Sequence, residues 1–144
     1  MKERGFTFIE VVVVMAIFSF IFVVSIPFYT SFTAFNVVES YKQELLQNMR
    51  LAQISALGGK NDSAYGIYIE NTRYTLYRGA SYATRVQDED RIYAFEDYIH
   101  VAGLNEINFE KKTGLPSTVG TVTLVHASNN REEVIAINSA GFIY

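Results

Sequence analysis

From Phe6 to Tyr29 the chain reads FTFIEVVVVMAIFSFIFVVSIPFY, with Glu10 its only charge. An apolar run of about 20 residues is what a helix needs to cross a bilayer core of about 30 Å. Few soluble cores enclose a helix so uniformly apolar, so the run predicts a membrane-inserted helix. Lys2 and Arg4 precede it and the next basic residue is Lys42. That asymmetry keeps the short leader cytoplasmic and sends the rest of the chain outward. A cleaved secretory signal has a shorter apolar region and small residues at its end. Ser31-Phe32-Thr33-Ala34 is a poor match to such an end.

After Tyr29 the pattern changes. Val38, Tyr41, Leu45, Met49, Ala52 and Ala56 recur at spacings of three and four, which draws one apolar stripe along a helix. Glu39, Ser40, Gln43, Glu44, Gln47, Asn48 and Arg50 fill the polar positions, and Gly58-Gly59 suits a helix stop. Residues 6–57 therefore read as one helix, roughly 75–80 Å long at 1.5 Å per residue. Leu46, Ile54 and Leu57 lie off the main stripe, open either to other helices or to a broad stripe around a small core.

Beyond Gly58 the period becomes two, with aromatic and β-branched residues. Tyr65–Ile69 and Tyr74–Tyr77 read as strands about a turn at Glu70-Asn71-Thr72-Arg73. Residues 80–91 read as a polar loop. Further strands are predicted near Tyr98–Ala102, Glu106–Lys111, Thr121–His126 and Glu133–Asn138, with a turn at Ala127-Ser128-Asn129-Asn130. Phe142-Ile143-Tyr144 reads as a last short strand. About 85 residues of β-rich chain bury little alone, so the stripe of residues 38–56 is the natural other half of their core. The fold class is α+β, a long helix packed on an antiparallel sheet. The organisation is a leader at 1–5, an apolar helix half at 6–29, an amphipathic half at 30–58 and a head at 59–144.

Composition narrows the functions. The 144 residues carry 12 Lys+Arg and 15 Asp+Glu, a net charge of −3, which argues against a chain whose main work is coating nucleic acid. There is no Cys, which excludes a disulfide framework, a CxxC redox site and Cys-ligated zinc.

Arg4-Gly5-Phe6-Thr7-Phe8-Ile9-Glu10 resembles the type III leader of type IV pilins and pseudopilins. The resemblance implies that a prepilin peptidase cuts Gly5–Phe6 and that Phe6 becomes an N-methylated first residue. It also implies that Glu10 is the family's fifth mature residue and pairs with the free amino terminus of a neighbouring subunit. Pro27 falls where the family carries a helix-disturbing proline. The physics is compatible. A carboxylate within an apolar span costs on the order of 2.5–3.5 kcal/mol at the centre, less near an end, and asks for a partner. A local role for Glu10 also exists, because Thr7-Phe8-Ile9-Glu10 fits the capping box S/T-x-x-E. Pro27 removes one backbone donor and would kink or locally open the helix.

The head resembles the GspH/FimT family of minor pseudopilins and minor pilins. The residues that carry this are Asn108-Phe109, Gly114, Gly120-Thr121-Val122-Thr123-Leu124, Ile135-Ala136-Ile137-Asn138 and Ala140-Gly141-Phe142-Ile143. The partners so implied are the prepilin peptidase, other pilins or pseudopilins, an inner-membrane assembly platform and membrane lipid. A cytoplasmic ATPase would supply the energy, since no nucleotide motif is present. The implied location is the bacterial inner membrane, single-pass, with the head extracytoplasmic.

Chemistry is sparse elsewhere. His100 and His126 sit in strand-like stretches outside any HExxH pattern, and no GxSxG, Walker or GxGxxG motif occurs. Asp88-Glu89-Asp90 and Glu96-Asp97 are adjacent carboxylates of the kind that solvated loops carry, and no D-x-D-x-D-G spacing suggests calcium. No enzyme activity, metal or cofactor is expected. The alternative function is DNA uptake, with Lys111-Lys112 and Arg131 gathered into a patch and tyrosines stacking on bases. Beyond residue 58, eight basic residues face eleven acidic ones, which disfavours it.

Overall fold

The computed structural model describes residues 7–128 and 130–144, with backbone alone over 25–36. The fold is α+β, a single helix followed by antiparallel sheets. Helix α1 spans Phe8–Leu57 without interruption, its backbone helical through Pro27. Thr7 is its N-cap, Gly58 its C-cap, and Gly59 follows at φ 62°, the left-handed conformation that glycine adopts without steric cost. Gly5 and Phe6 lie outside the described residues, as does the Pro27 side chain. Among the described residues no helix is long and apolar enough to cross a membrane. The described side chains of the first half end at Val24.

Seven strands follow. They are β1 (Tyr65–Ile69), β2 (Arg73–Arg78), β3 (Arg91–Ala94), β4 (Ile99–Gly103), β5 (Glu106–Phe109), β6 (Gly120–His126) and β7 (Arg131–Ile137). They form two sheets rather than the expected one, ordered β3-β2-β1-β5 and β4-β6-β7, with every pairing antiparallel. The strand β3 begins inside the stretch that reads as loop. The end of the chain makes a single bridge, Ile137 to Ile143, instead of a strand. It nonetheless covers part of the β7 edge, with Ala136 N–H donating to Tyr144 O at 2.8 Å and Tyr144 N–H to Ala136 O at 3.1 Å. Covering an exposed edge removes a template for unwanted pairing.

The docked half of α1 lies across both sheets, touching β1, β2 and β5 of one and β6 and β7 of the other. Val38, Leu45, Met49, Ala52 and Ala56 are all fully buried, as the stripe requires, and pack with Ile67, Ile107, Phe109, Val122, Leu124 and Ile135. Leu46 is buried too, so the stripe is broad, whereas Ile54 and Leu57 point to solvent. Asn48, a polar position in the helical pattern, is buried as well. Its Nδ2 donates to the Tyr74 hydroxyl at 2.8 Å and to Glu44 O at 3.1 Å, while Tyr74 donates to Glu44 Oε1 at 3.0 Å. Gln53 ties the far end of the helix to two loops, donating to Gly141 O at 2.7 Å and Gly114 O at 3.1 Å.

Candidate functional site

The chemistry of the first helical turn follows from its geometry. Thr7 is extended (φ −79°, ψ 152°) and leaves the first helical N–H groups without intrahelical acceptors. Thr7 Oγ1 accepts from Glu10 N–H, and Glu10 Oε2 accepts from Thr7 N–H, both at 3.4 Å. This is the expected capping box, formed reciprocally but with long bonds. An acid here also suits the positive end of the helix dipole. Among the described residues, Thr7 is the one partner Glu10 has, and its carboxylate is exposed. The geometry therefore ties Glu10 only weakly and leaves it able to accept another donor.

Around Glu10 the helix is bare. Every residue from Thr7 to Val24 is exposed, and Phe8 is 86% exposed. Ser19, the one hydroxyl between Phe8 and Val24, donates to Met15 O at 2.8 Å, so it presents no unsatisfied donor. A continuous exposed apolar helical surface is not a soluble one; it needs lipid or other helices to cover it.

Two of the other acidic candidates from the sequence already hold partners. Asp90 holds Arg85 at 2.7 Å and Glu89 holds Arg78 at 3.0 Å, so two carboxylates of the acidic run are ion-paired. Asp90 also raises the pKa of Arg85. The Arg85 guanidinium lies 3.7 Å over the Tyr82 ring, which stacks at 3.9 Å on Tyr68. Glu106 accepts from Tyr82 N–H at 2.7 Å and from the Tyr77 hydroxyl at 2.8 Å. The segment from 79 to 90 is thus pinned to the first sheet. Burial pushes the Tyr77 hydroxyl well above the ordinary tyrosine range. Gly66 lies beside it because a Cβ there would overlap that hydroxyl.

His100 is exposed on β4, and His126 is buried, with Nδ1 accepting from Ser128 N–H at 3.2 Å. Among the described residues no group of three potential metal ligands converges. The basic residues do not gather into a patch. Lys112 N–H donates to Ala56 O, and Lys111 pairs with Asp62 at 2.7 Å, whose carboxyl it holds below the usual range. Arg131 lies 3.9 Å from Glu133, which binds Lys42 at 2.9 Å. Positions 42 and 56 of one helix are about 21 Å apart, so the two basic groups sit at opposite ends of the docked helix.

The sequence pattern missed the Glu44–Tyr74–Asn48 group, in which Tyr74 and Asn48 are buried and Glu44 half-buried, and the Gln53 tie. The available signal was the i,i+4 spacing of Glu44 and Asn48 at the margin of the apolar stripe.

Residues 1–26 of the 144 match the prokaryotic N-terminal methylation motif. The match spans Gly5, Phe6 and Glu10 and ends before the head begins. It supports a type IV pilin-like chain that a prepilin peptidase processes and that assembles with other pilins, a structural subunit. No curated protein and no solved structure matches the chain.

Proposed function

We propose that this chain is a minor subunit of a pilin-like filament. In finer terms it is a GspH/FimT-type minor pseudopilin or minor pilin that helps initiate or cap a type II secretion pseudopilus or type IV pilus. What supports the reading is one conjunction. A methylation-motif match over residues 1–26 contains a bare apolar segment, and from Phe8 to Leu57 one uninterrupted helix carries that segment on into a docked amphipathic one.

The inner membrane holds the segment 6–29, with the head on the extracytoplasmic side. Cleavage of Gly5–Phe6 by a prepilin peptidase exposes an amino group, which is methylated and remains a cation. Glu10, held locally by long bonds only, exchanges Thr7 for the amino terminus of a neighbouring subunit. That exchange offsets two charges otherwise costly in an apolar medium, and it sets register. Pro27 opens the helix locally as it enters the bundle. Association there comes from packing and polar pairing, since lipid is as apolar as the helix. A cytoplasmic ATPase acting through the inner-membrane platform drives extraction.

Mass spectrometry of the mature amino terminus tests the reading. A chain beginning at Phe6 and heavier by one methyl group is expected. An intact Met1, or a start near residue 35, refutes it.

A further inference from the structure

The segment from Gly79 to Asp90 lies against the first sheet, yet none of its residues is buried. Arg85 organises it from within. Its Nε donates to Asp90 Oδ2 and its Nη1 to Tyr82 O, both at 2.7 Å, and the guanidinium lies over the Tyr82 ring. The N–H groups of Thr84, Glu89 and Asp90 donate to Ser81 O, Val86 O and Gln87 O, again inside the segment. None of these bonds involves the sheet, so they persist when the segment leaves it.

The ties to the sheet are few, and most gather at one hinge. Gly79 N–H donates to Ala64 O at 3.0 Å, and Gly79 O accepts from Asn108 Nδ2 at 2.9 Å. Val86 N–H and the Glu89 carboxylate both reach back to Arg78, the residue before Gly79. Gly79 has φ +148°, and a Cβ on it would stand 2.9 Å from Arg85 Cα, so glycine lets the segment fold back here. Away from the hinge, the hydrogen bonds and ring contacts to the sheet among the described residues come from Tyr82. Its N–H donates to Glu106 Oε1 at 2.7 Å, and its ring stacks on Tyr68 and meets Tyr77 edge-on.

The closed arrangement is also costly. Arg78 Nε and Asp90 Oδ1, at the two ends of the segment, are buried without a hydrogen-bond partner. Such atoms favour any arrangement that returns them to water. Ordering a loop costs entropy that apolar burial offsets in the core and does not offset here. Asp88, Glu89 and Asp90 also line a cleft of about 450 Å³, together with Leu51, Ser55 and Lys60. We infer that residues 79–90 form a lid that opens as a unit about its two ends, released at Tyr82, while the rest of the head stays folded. Opening uncovers Tyr77 and Asn108, both buried when the lid is shut, and removes one wall of the cleft. The inference does not depend on the filament reading.

Hydrogen exchange of the full-length chain in detergent, read by mass spectrometry, tests it. Peptides covering 79–90 are expected to exchange at least about tenfold faster than those covering β1 and β7, at rates that low urea leaves unchanged, as local opening requires. Glu106→Ala removes the acceptor of Tyr82 N–H and is expected to speed exchange in both halves of the segment by about tenfold more, leaving β7 and the docked half of α1 as they were. Tyr82→Ala, at a half-buried position outside the core, is expected to act in the same direction. Exchange at 79–90 that follows urea in step with β1 means that the segment opens only by global unfolding, and overturns the inference. So does a pair of variants that speed every strand equally or speed nothing. Acceleration confined to one half of the segment refutes a single lid.

Discussion

Tyr74→Phe removes one oxygen from the interface between α1 and the first sheet. Its ring is 1% exposed and stacks on Tyr93 at 4.9 Å, contacts that phenylalanine keeps. What disappears is the donation to Glu44 Oε1 and the acceptance from Asn48 Nδ2. A hydrogen bond to a charged group contributes about 1.5–3 kcal/mol net. Water reaches the half-buried Glu44, and Asn48 retains Glu44 O, so the loss at neutral pH is about 1–2 kcal/mol. The alkaline side behaves oppositely. Burial, then the Glu44 charge, pushes the Tyr74 hydroxyl well above its ordinary value of 10.0. A group raised in this way contributes stability that is whole below the unfolded pKa and is lost as pH climbs past it. Above pH about 10 the unfolded tyrosine ionises while the folded one cannot, which costs about 1.4 kcal/mol per pH unit. Phenylalanine carries no such liability. The stability curves of the two proteins are therefore expected to cross near pH about 11. Urea titrations of the full-length chain in detergent, followed by the circular dichroism of its sheets at pH 7 and about 11.5, measure both differences. A constant gap between the proteins at the two pH values refutes the account.

Other outcomes follow from the same packing. Leu45→Ala, at a fully buried position, is expected to lower stability by about 2–5 kcal/mol, and Ile54→Ala, on the solvent face, by less than about 0.5 kcal/mol. Urea titration distinguishes them, and equal losses would show that the docked face is misassigned. Gly141→Ala places a Cβ 2.7 Å from Gln53 Nε2 at a residue with φ +83°. It should cost about 1–3 kcal/mol, and less in a Gln53→Ala background, because the two positions share one contact. Glu10→Leu is expected to be cleaved and inserted yet to be missing from sheared filaments; wild-type levels there would sink the pairing role of Glu10.

Legibility in the sequence followed physical periodicity. The stripe from Val38 to Ala56 and the stop at Gly58-Gly59 were readable because a docked helix repeats every 3.6 residues and ends where glycine permits. The six strands expected before the chain end were found because half-buried strands alternate. Alternation does not say which strands pair, so the division into two sheets was not readable. The strand β3 escaped because its four residues, RIYA, follow an acidic run and all but Tyr93 are exposed. Asn48 was hidden by its polarity, since its burial depends on Tyr74, 26 positions away. The capping box at Thr7 and Glu10 was legible in full, being a local pattern.

The path of α1 over both sheets has a mechanical consequence. From Val38 to Ala56 the docked stretch is roughly 27 Å long and is continuous with the bare segment. A pull on the greasy end runs along the rod, so it loads the whole seam in shear and cannot peel it open turn by turn. Tension delivered to Phe8 reaches Met49 and Gln53 together, and the globule moves as a rigid passenger of its own stalk.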